Sequence, residues 1–270
     1  MANPLLQNKR GIIFGALDEQ SIAWRVADKC VQHGAKITLT NAPVAMRFGK
    51  IYELGEKLNA EVIPADATSI TDLDQLLTTS MEKLGGKIDF ILHSIGMSLN
   101  VRKGKAYTDL NYDFMQKTFD ISAISFHKLM QSAWQKDAIN DGGSILALTY
   151  IAAQRVFPDY NEMAESKALL ESFARSFGYH FGSSKRVRVN TISQSPTMTT
   201  AGSGIKGFQE FFDYADKMSP LGNAPADACA DYCVLMFSDL SRMVTMQNLY
   251  HDGGFSSMGM NPAILGLSNS

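Results

Sequence analysis

The chain has 270 residues, 45% hydrophobic and 19% charged, a composition that excludes a disordered or fibrous protein. A formal net charge of −2 gives no electrostatic reason to expect nucleic acid or an anionic membrane as partner. No run approaches the roughly 18 apolar residues of a transmembrane helix. Cys30, Cys229 and Cys233 are too few for a disulfide framework, and no histidine beside the latter two completes a metal set, so all three read as small buried hydrophobes. The apolar run 11–17, ended by Asp18-Glu19, is short for a signal peptide and lacks a cleavage site. A cytoplasmic location is expected.

In chain order, Gly11-Ile-Ile-Phe-Gly15 predicts a strand, and residues 21–33 a helix closed by Gly34-Ala35. A strand at 37–40, a helix at about 46–59, a strand at 61–65 and a helix at 70–84 follow, the last stopped by Gly85-Gly86. The fourth strand is 88–93, and a long helical stretch runs from 109 to about 136. Ser144-Ile-Leu-Ala-Leu-Thr149 reads as a buried strand. Beyond it come a strand at 187–192, helices near 208–216 and 225–237, and a last strand at about 248–251. Strands alternating with helices predict one α/β domain over 1–270, a doubly wound parallel sheet of about seven strands with helices on both faces.

In such a sheet, ligands bind beyond the carboxyl ends of the strands. That directs attention to Gly15–Ser21, Asn41-Ala42, Asp66-Ala67, Ser94-Ile95-Gly96, Tyr150 and the loop after Ser193. The first loop lacks the G-x-G-x-x-G fingerprint, because positions 17 and 20 are Leu and Gln. It keeps Gly15 at the strand end and Ser21 before the helix, with Ile22 and Ala23 following. A helix start of this kind binds pyrophosphate through its free N–H groups, and Ser21 serves equally as an ordinary N-cap. Neither the acid that selects NAD nor the arginine that selects NADP stands at Asn41-Ala42. Asp66 is placed to accept from an adenine amino group or to cap a helix, and Ser94-Ile95-Gly96 offers close backbone approach to a ribose.

Tyr150 ends the fifth strand, and Pro158-Asp159 breaks the chain before Tyr160 and Lys167. Seven residues on a helix bring a side chain back to within roughly 20° of its starting direction. A phenol and an ammonium would then share one face, with the cation favouring the ionised phenol. An ordinary surface helix has the same pattern.

Taken together, Gly15-x5-Ser21-Ile22-Ala23, His93-Ser94-Ile95-Gly96, Tyr150-x9-Tyr160-x6-Lys167, Arg188-Val-Asn190, Ser195-Pro196-Thr-Met-Thr199, 201–206 and His251-Asp-Gly-Gly-Phe255 carry a resemblance. The chain resembles the NADH-dependent enoyl-acyl-carrier-protein reductases of fatty-acid synthesis, a divergent branch of the short-chain dehydrogenase/reductases, over about residues 4–258. The resemblance implies a Rossmann-type fold, NADH as cofactor with NADPH as an alternative, an acyl carrier protein bearing the enoyl thioester, and a homotetramer. It implies catalytic roles for Tyr160, Lys167 and, less directly, Tyr150. Around the cofactor it places Gly15, Ser21, Ile22, Ala42, Asp66, Ala67, Ser94, Ile95, Gly96, Lys167, Pro196, Thr197, Met198, Thr199, Thr200 and Ala201. Near the acyl chain it places Ser98, Tyr150 and Tyr160, with Ile205 and Phe208 on a flap at about 197–218. No metal site is implied.

Two departures stand out. Gln194-Ser195-Pro196 replaces the Ala-Gly-Pro usual in the family, and Ala42 replaces its adenosine-contacting glutamine or arginine. A 3-oxoacyl or other carbonyl reductase of the same superfamily would need Tyr-x3-Lys and a serine thirteen residues before the tyrosine. Those positions hold Ala164 and Ala147. A non-catalytic dinucleotide-sensing protein on this fold is the other alternative. For subunit contacts the expected regions are 225–237 and 252–260, which could instead close the chain's own core.

Overall fold

A computed structural model describes residues 4–47, 49–200 and 207–266. The first half runs β1 (Arg10–Phe14), α1 (Ile22–Gln32), β2 (Lys36–Thr40), α2 (Pro43–Met46), α3 (Ile51–Leu58), β3 (Glu61–Val62), α4 (Ile70–Leu84), β4 (Ile88–His93) and α5 (Leu99–Arg102). The second half runs α6 (Tyr112–Phe119), α7 (Ser125–Gln135), β5 (Ile139–Thr149), α8 (Met163–Lys185), β6 (Arg188–Gln194), α9 (Phe208–Met218), α10 (Ala226–Phe237) and β7 (Asn248–His251).

The strands form one seven-stranded sheet in the order β3-β2-β1-β4-β5-β6-β7, parallel throughout. This is the expected α/β class. Both faces are covered, so successive strand residues enter opposite cores. Ile13, Phe90 and Leu92 face α1, α3 and α10, while Ile12, Phe14 and Ile91 face α4, α7 and α8. The chain winds outward from β1 through β2 to β3, then crosses back to β4. Phe14 is in register with Thr40 on one side and His93 on the other, so the cleft at this switch point opens beyond three aligned strand ends.

Several boundaries differ from the periodicity. The helix expected at 46–59 starts only at Ile51, as α3, just after the Lys50 N–H donates to the Leu17 carbonyl at 2.7 Å and ties the chain there to the first loop. The stretch 109–136 divides into α6, a π-helical segment at Asp120–Ile124 and α7. Ser122 Oγ sits at that π turn and bonds the backbone of Met97, which ties the widened helix to the cavity rim. The third strand ends at Val62, two residues before Pro64, whose missing N–H cannot extend the ladder. The apolar side of α10, including Cys229, Cys233 and Phe237, is buried within the chain's own core against α1.

Candidate active site

A cavity of about 810 Å³ lies over the carboxyl ends of the strands. One wall begins at Gly15, where φ is +92° and an added Cβ would lie 1.9 Å from the Ser94 carbonyl oxygen. Only a glycine allows β1 and β4 to end this close together. Ser21 precedes α1, but its hydroxyl does not cap the helix. It donates to the Asp18 carbonyl at 2.7 Å and accepts from the Leu17 N–H at 3.2 Å. That folds the loop back on itself; the Trp24 and Arg25 N–H groups donate to the Ser21 carbonyl at 3.1 and 3.4 Å, and the N–H groups of Ile22 and Ala23 ahead of them have no intrahelical acceptor. Asn41, which the sequence places on the rim without assigning it to the cofactor, bridges two loops: its amide donates to the Ala16 carbonyl at 3.0 Å and its oxygen accepts from the Ala42 N–H at 2.8 Å.

Ile22, Ala42, Ser94, Ile95, Gly96, Pro196, Thr197, Thr199 and Thr200 also line the cavity. Asp66, Ala67 and Met198 do not. The exposed Asp66 uses its Oδ1 to hold Thr68 through the N–H at 2.9 Å and the hydroxyl at 2.8 Å. That is a local turn ahead of α4, whose N-cap is Ser69. Ala67 is packed in the core beside Leu73, and Met198 points outward, 48% exposed. Ala201 and Ile205 lie outside the described residues.

The Gln194-Ser195-Pro196 departure is accommodated by hydrogen bonds rather than by a glycine conformation. Ser195 is not among the residues with positive φ, and its Oγ accepts from the Ala224 N–H at 3.0 Å. Gln194 donates to the Ala224 carbonyl at 2.8 Å and meets His251 Nδ1 at 2.7 Å. Farther along, Thr200 donates to Asp18 at 2.5 Å, joining the base of the flap to the first loop.

The opposite wall carries the titratable groups. Tyr160 is not on a helix: α8 begins three residues later, at Met163. Asp159 and Asn161 flank the tyrosine with φ of 67° and 47°, and these left-handed residues delay the helix. The helical seven-residue geometry therefore does not apply, yet Tyr150, Tyr160 and Lys167 still line one cavity. The rings of Tyr150 and Tyr160 are 5.3 Å apart. Lys167, in the second turn of α8, is buried and donates to the Leu148 carbonyl at 2.9 Å and the Ile95 carbonyl at 3.4 Å. Gly96 makes room for Met163, since a Cβ there would stand 2.8 Å from Met163 Cε, while Lys167 Nζ at 3.6 Å would be in ordinary contact.

Burial pushes the Lys167 pKa down to about 8, against the charge of Glu171, which raises it. Burial also lowers His93 to about 3, with the Lys167 charge as a smaller cause. Neutral His93 sits beneath the site with its Nε2 3.0 Å from Ser125 Oγ. Both phenols move the other way, pushed well above the usual tyrosine value chiefly by burial. The expected lowering of the Tyr160 pKa by a nearby cation does not occur. Both tyrosines remain protonated donors, and the Tyr150 hydroxyl is buried with no hydrogen-bond partner within the described chain.

An aromatic group that the sequence did not single out surrounds them. Phe157 lies 5.3 Å from Tyr150, and Phe211 lies 6.0 Å from Tyr150 and 5.4 Å from Phe157. Phe208 lines the cavity but stacks on Phe212 instead. The spacing of Phe208, Phe211 and Phe212 marks one apolar helix face, and that was the available signal.

A switch-point cleft with a helix start on one wall, and a buried lysine with two protonated phenols on the other, defines a dinucleotide-dependent oxidoreductase. The family model described as "Enoyl-(Acyl carrier protein) reductase" matches residues 15–256, and the chain belongs to that family. It is 34% identical over 261 residues to an "Enoyl-[acyl-carrier-protein] reductase [NADH] 1" of Rhizobium meliloti, covering 96% of this chain and 94% of the relative. The crystal structure of a FabI–NADH complex from Alistipes finegoldii superposes with a TM-score of 0.95 at 62% identity, covering 98% of this chain and 93% of that one. The Bacillus cereus enoyl-acyl carrier protein reductase, solved with NADP+ and an indole naphthyridinone, gives a TM-score of 0.88 at 30% identity over 95% and 99% of the two chains.

Proposed function

We propose that this chain reduces the trans-2 double bond of enoyl thioesters carried on acyl carrier protein, with NADH as reductant, in fatty-acid elongation. The observation that carries the reading is the convergence of Tyr150, Tyr160 and Lys167 on the switch-point cavity, with Lys167 seven positions after Tyr160 rather than the four of carbonyl reducers.

The residues present fit a dinucleotide. The unpaired N–H groups at the start of α1 suit a pyrophosphate, and Gly15 and Gly96 keep the strand ends free of side chains. Bound NADH supplies a hydride to the β-carbon of the enoyl thioester, and negative charge then develops on the thioester oxygen. Tyr160, kept protonated by its burial, donates a hydrogen bond to that oxygen where the charge forms. Tyr150 lines the same pocket with an unspent hydroxyl. Lys167 has three N–H groups, two of them committed to the Leu148 and Ile95 carbonyls, which leaves one to hold the nicotinamide ribose. Its positive charge adds to the stabilisation of the developing oxyanion.

Turnover of a crotonyl thioester with NADH and NADPH in parallel, beside a 3-oxo thioester, tests the reading. NADH is expected to serve with the enoyl substrate. Tyr160→Phe is expected to lower kcat by about 100-fold while NADH affinity is retained. Activity on the 3-oxo substrate alone, or full activity of Tyr160→Phe, would overturn it.

The carrier is acidic, and Arg102 at the cavity with Lys103 and Lys105 nearby gives a basic approach; Lys206, a further basic residue expected to flank it, lies outside the described residues. Charge reversal at Arg102 and Lys103 is expected to raise KM for the carrier-bound substrate and to spare a coenzyme A thioester. A homotetramer in the cytoplasm is the setting this reading expects. Among the described residues no helix is long and apolar enough to cross a membrane.

A further inference from the structure

Tyr160 is held by a strained loop, and something outside the loop must fix the direction of its phenol. The residues on either side, Asp159 and Asn161, are both left-handed, which costs on the order of 1 kcal/mol each for a residue with a side chain. Three tethers reach this loop and the start of α8 from residues 98–118, a segment whose first residues, Ser98, Leu99, Val101 and Arg102, line the cavity. Asn161 Nδ2 donates to the Lys105 carbonyl at 2.8 Å. Tyr107 donates to Glu165 at 2.6 Å. The deepest tether is Glu162, whose carboxylate has no solvent exposure.

Glu162 Oε1 accepts from Ser98 Oγ at 2.6 Å and from Thr118 Oγ1 at 2.8 Å. Ser98 is itself fixed, since its Oγ also accepts from the Val101 N–H at 3.1 Å and so caps α5. Thr118 stands in α6 and shares its proton with the Phe114 carbonyl at 2.9 Å. One side chain, two residues after Tyr160, thereby joins the tyrosine loop to two separate elements, the cavity-lining Ser98 at the start of α5 and Thr118 of α6 behind it. Its second oxygen, Oε2, is buried with no hydrogen-bond partner within the described chain. A buried carboxylate satisfied on one side only is costly, and an apolar side chain of similar size would fill the space without that cost. What the carboxylate adds over an apolar residue is direction.

We infer that Glu162 is a positioning residue for Tyr160: by holding Ser98 and Thr118 it locks the 159–162 loop to the acyl wall and sets where the phenol points. The inference rests on the reading of Tyr160 as the donor to the thioester oxygen. It also means that the wall lining the acyl chain and the donor that meets the thioester are one mechanical unit. The cofactor wall, built on Gly15 and α1, is outside that unit.

A double-mutant cycle separates positioning from general packing. Glu162→Ala is expected to lower kcat about tenfold, the scale on which a displaced catalytic group loses rate, with NADH affinity within twofold of wild type. Glu162→Gln keeps an oxygen for Ser98 and Thr118 and is expected to restore most of the rate. In a Tyr160→Phe background, Glu162→Ala is expected to cost less than twofold, because the hydroxyl it would position is already gone. An equal loss in both backgrounds, or a loss confined to NADH affinity, would overturn the inference. Should Glu162→Ala fail to fold, Thr118→Val removes one donor with little change of volume and is run through the same cycle against the same outcomes. Full activity of Tyr160→Phe alone would mean that the donor reading has failed, and the positioning role falls with it; that result is seen before any Glu162 variant is made.

Discussion

The two walls of the cavity are built on different principles. The cofactor wall is mostly backbone and small residues: Gly15 and Gly96, the loop closed by Ser21, and the start of α1. Its geometry follows from the register of β1 with β2 and β4, so it is a property of the doubly wound topology. The acyl wall is made of individual side chains held by other side chains, with Tyr150, Tyr160, Phe157 and Phe211 ring to ring and Glu162 tethered beneath. On the proposed reading, the first wall receives the dinucleotide and the second acts on the thioester. Substitutions on the two walls should therefore separate in NADH affinity and in thioester turnover.

The largest separation is expected at Gly15. An alanine Cβ would meet the Ser94 carbonyl oxygen at 1.9 Å, on a backbone with φ of +92°, so either β1 or β4 must shift at its end. Gly15→Ala is expected to weaken NADH binding by 100-fold or more, about 3 kcal/mol, measured by calorimetric titration, and to lower Tm. Wild-type NADH affinity in this variant would break the distinction between the walls.

The same contrast explains what the sequence made legible. Strand ends follow from apolar runs and their stops, and in a parallel sheet those ends gather on one rim, so Gly15, Ser94, Ile95, Gly96 and Tyr150 could be placed before any side chain was seen. Tyr160 was placed in the right cavity on the wrong element. Periodicity does not register a left-handed residue, and Asn161 holds the start of α8 back to Met163. Asp66 stands apart from the cavity lining, because a carboxylate at a strand end can serve a ligand or its own turn, and here its Oδ1 holds Thr68. Glu162 left no signal, since an acid in a polar stretch reads as solvent-facing until its burial is known. Phe211 joins Phe208 in the cavity lining without a sequence signal of its own, because which residues of a helix face a cavity depends on how that helix docks.

Phe211 gives the second separation. It stands edge-on to both Tyr150 and Phe157 at an interplanar angle of 89°, and it belongs to α9 rather than to the sheet. Phe211→Ala removes the ring that closes the acyl side over Tyr150. KM for the enoyl thioester is expected to rise about tenfold, in line with aromatic contacts contributing roughly 1 kcal/mol beyond their area, with NADH affinity unchanged. A comparable loss of NADH affinity would mean that α9 serves both walls.

The smallest expected effect lies at Lys167, where the walls meet, and it is read through pH. Its buried ammonium has a pKa of about 8 against an ordinary 10.5, so activity that needs the cation is expected to fall as pH rises through about 8. Stability moves the opposite way. Below pH 8 both folded and unfolded chains hold the proton; between 8 and 10.5 the unfolded chain binds more of it, and this group's contribution to stability rises with pH. Of the groups around the lysine, His93 is neutral through burial, and Tyr150 and Tyr160 keep their protons. Glu171, one turn along α8, supplies the negative charge that raises Lys167, while Thr149 and Gln154 hold its carboxylate at 2.9 and 3.1 Å. Glu171→Gln retains an acceptor for Thr149 and removes that charge. The alkaline limb of the kcat/KM profile is then expected to move to lower pH by roughly one unit, with little change in rate at pH 6. An unmoved limb would show that the ionisation governing the alkaline loss of activity is not that of Lys167.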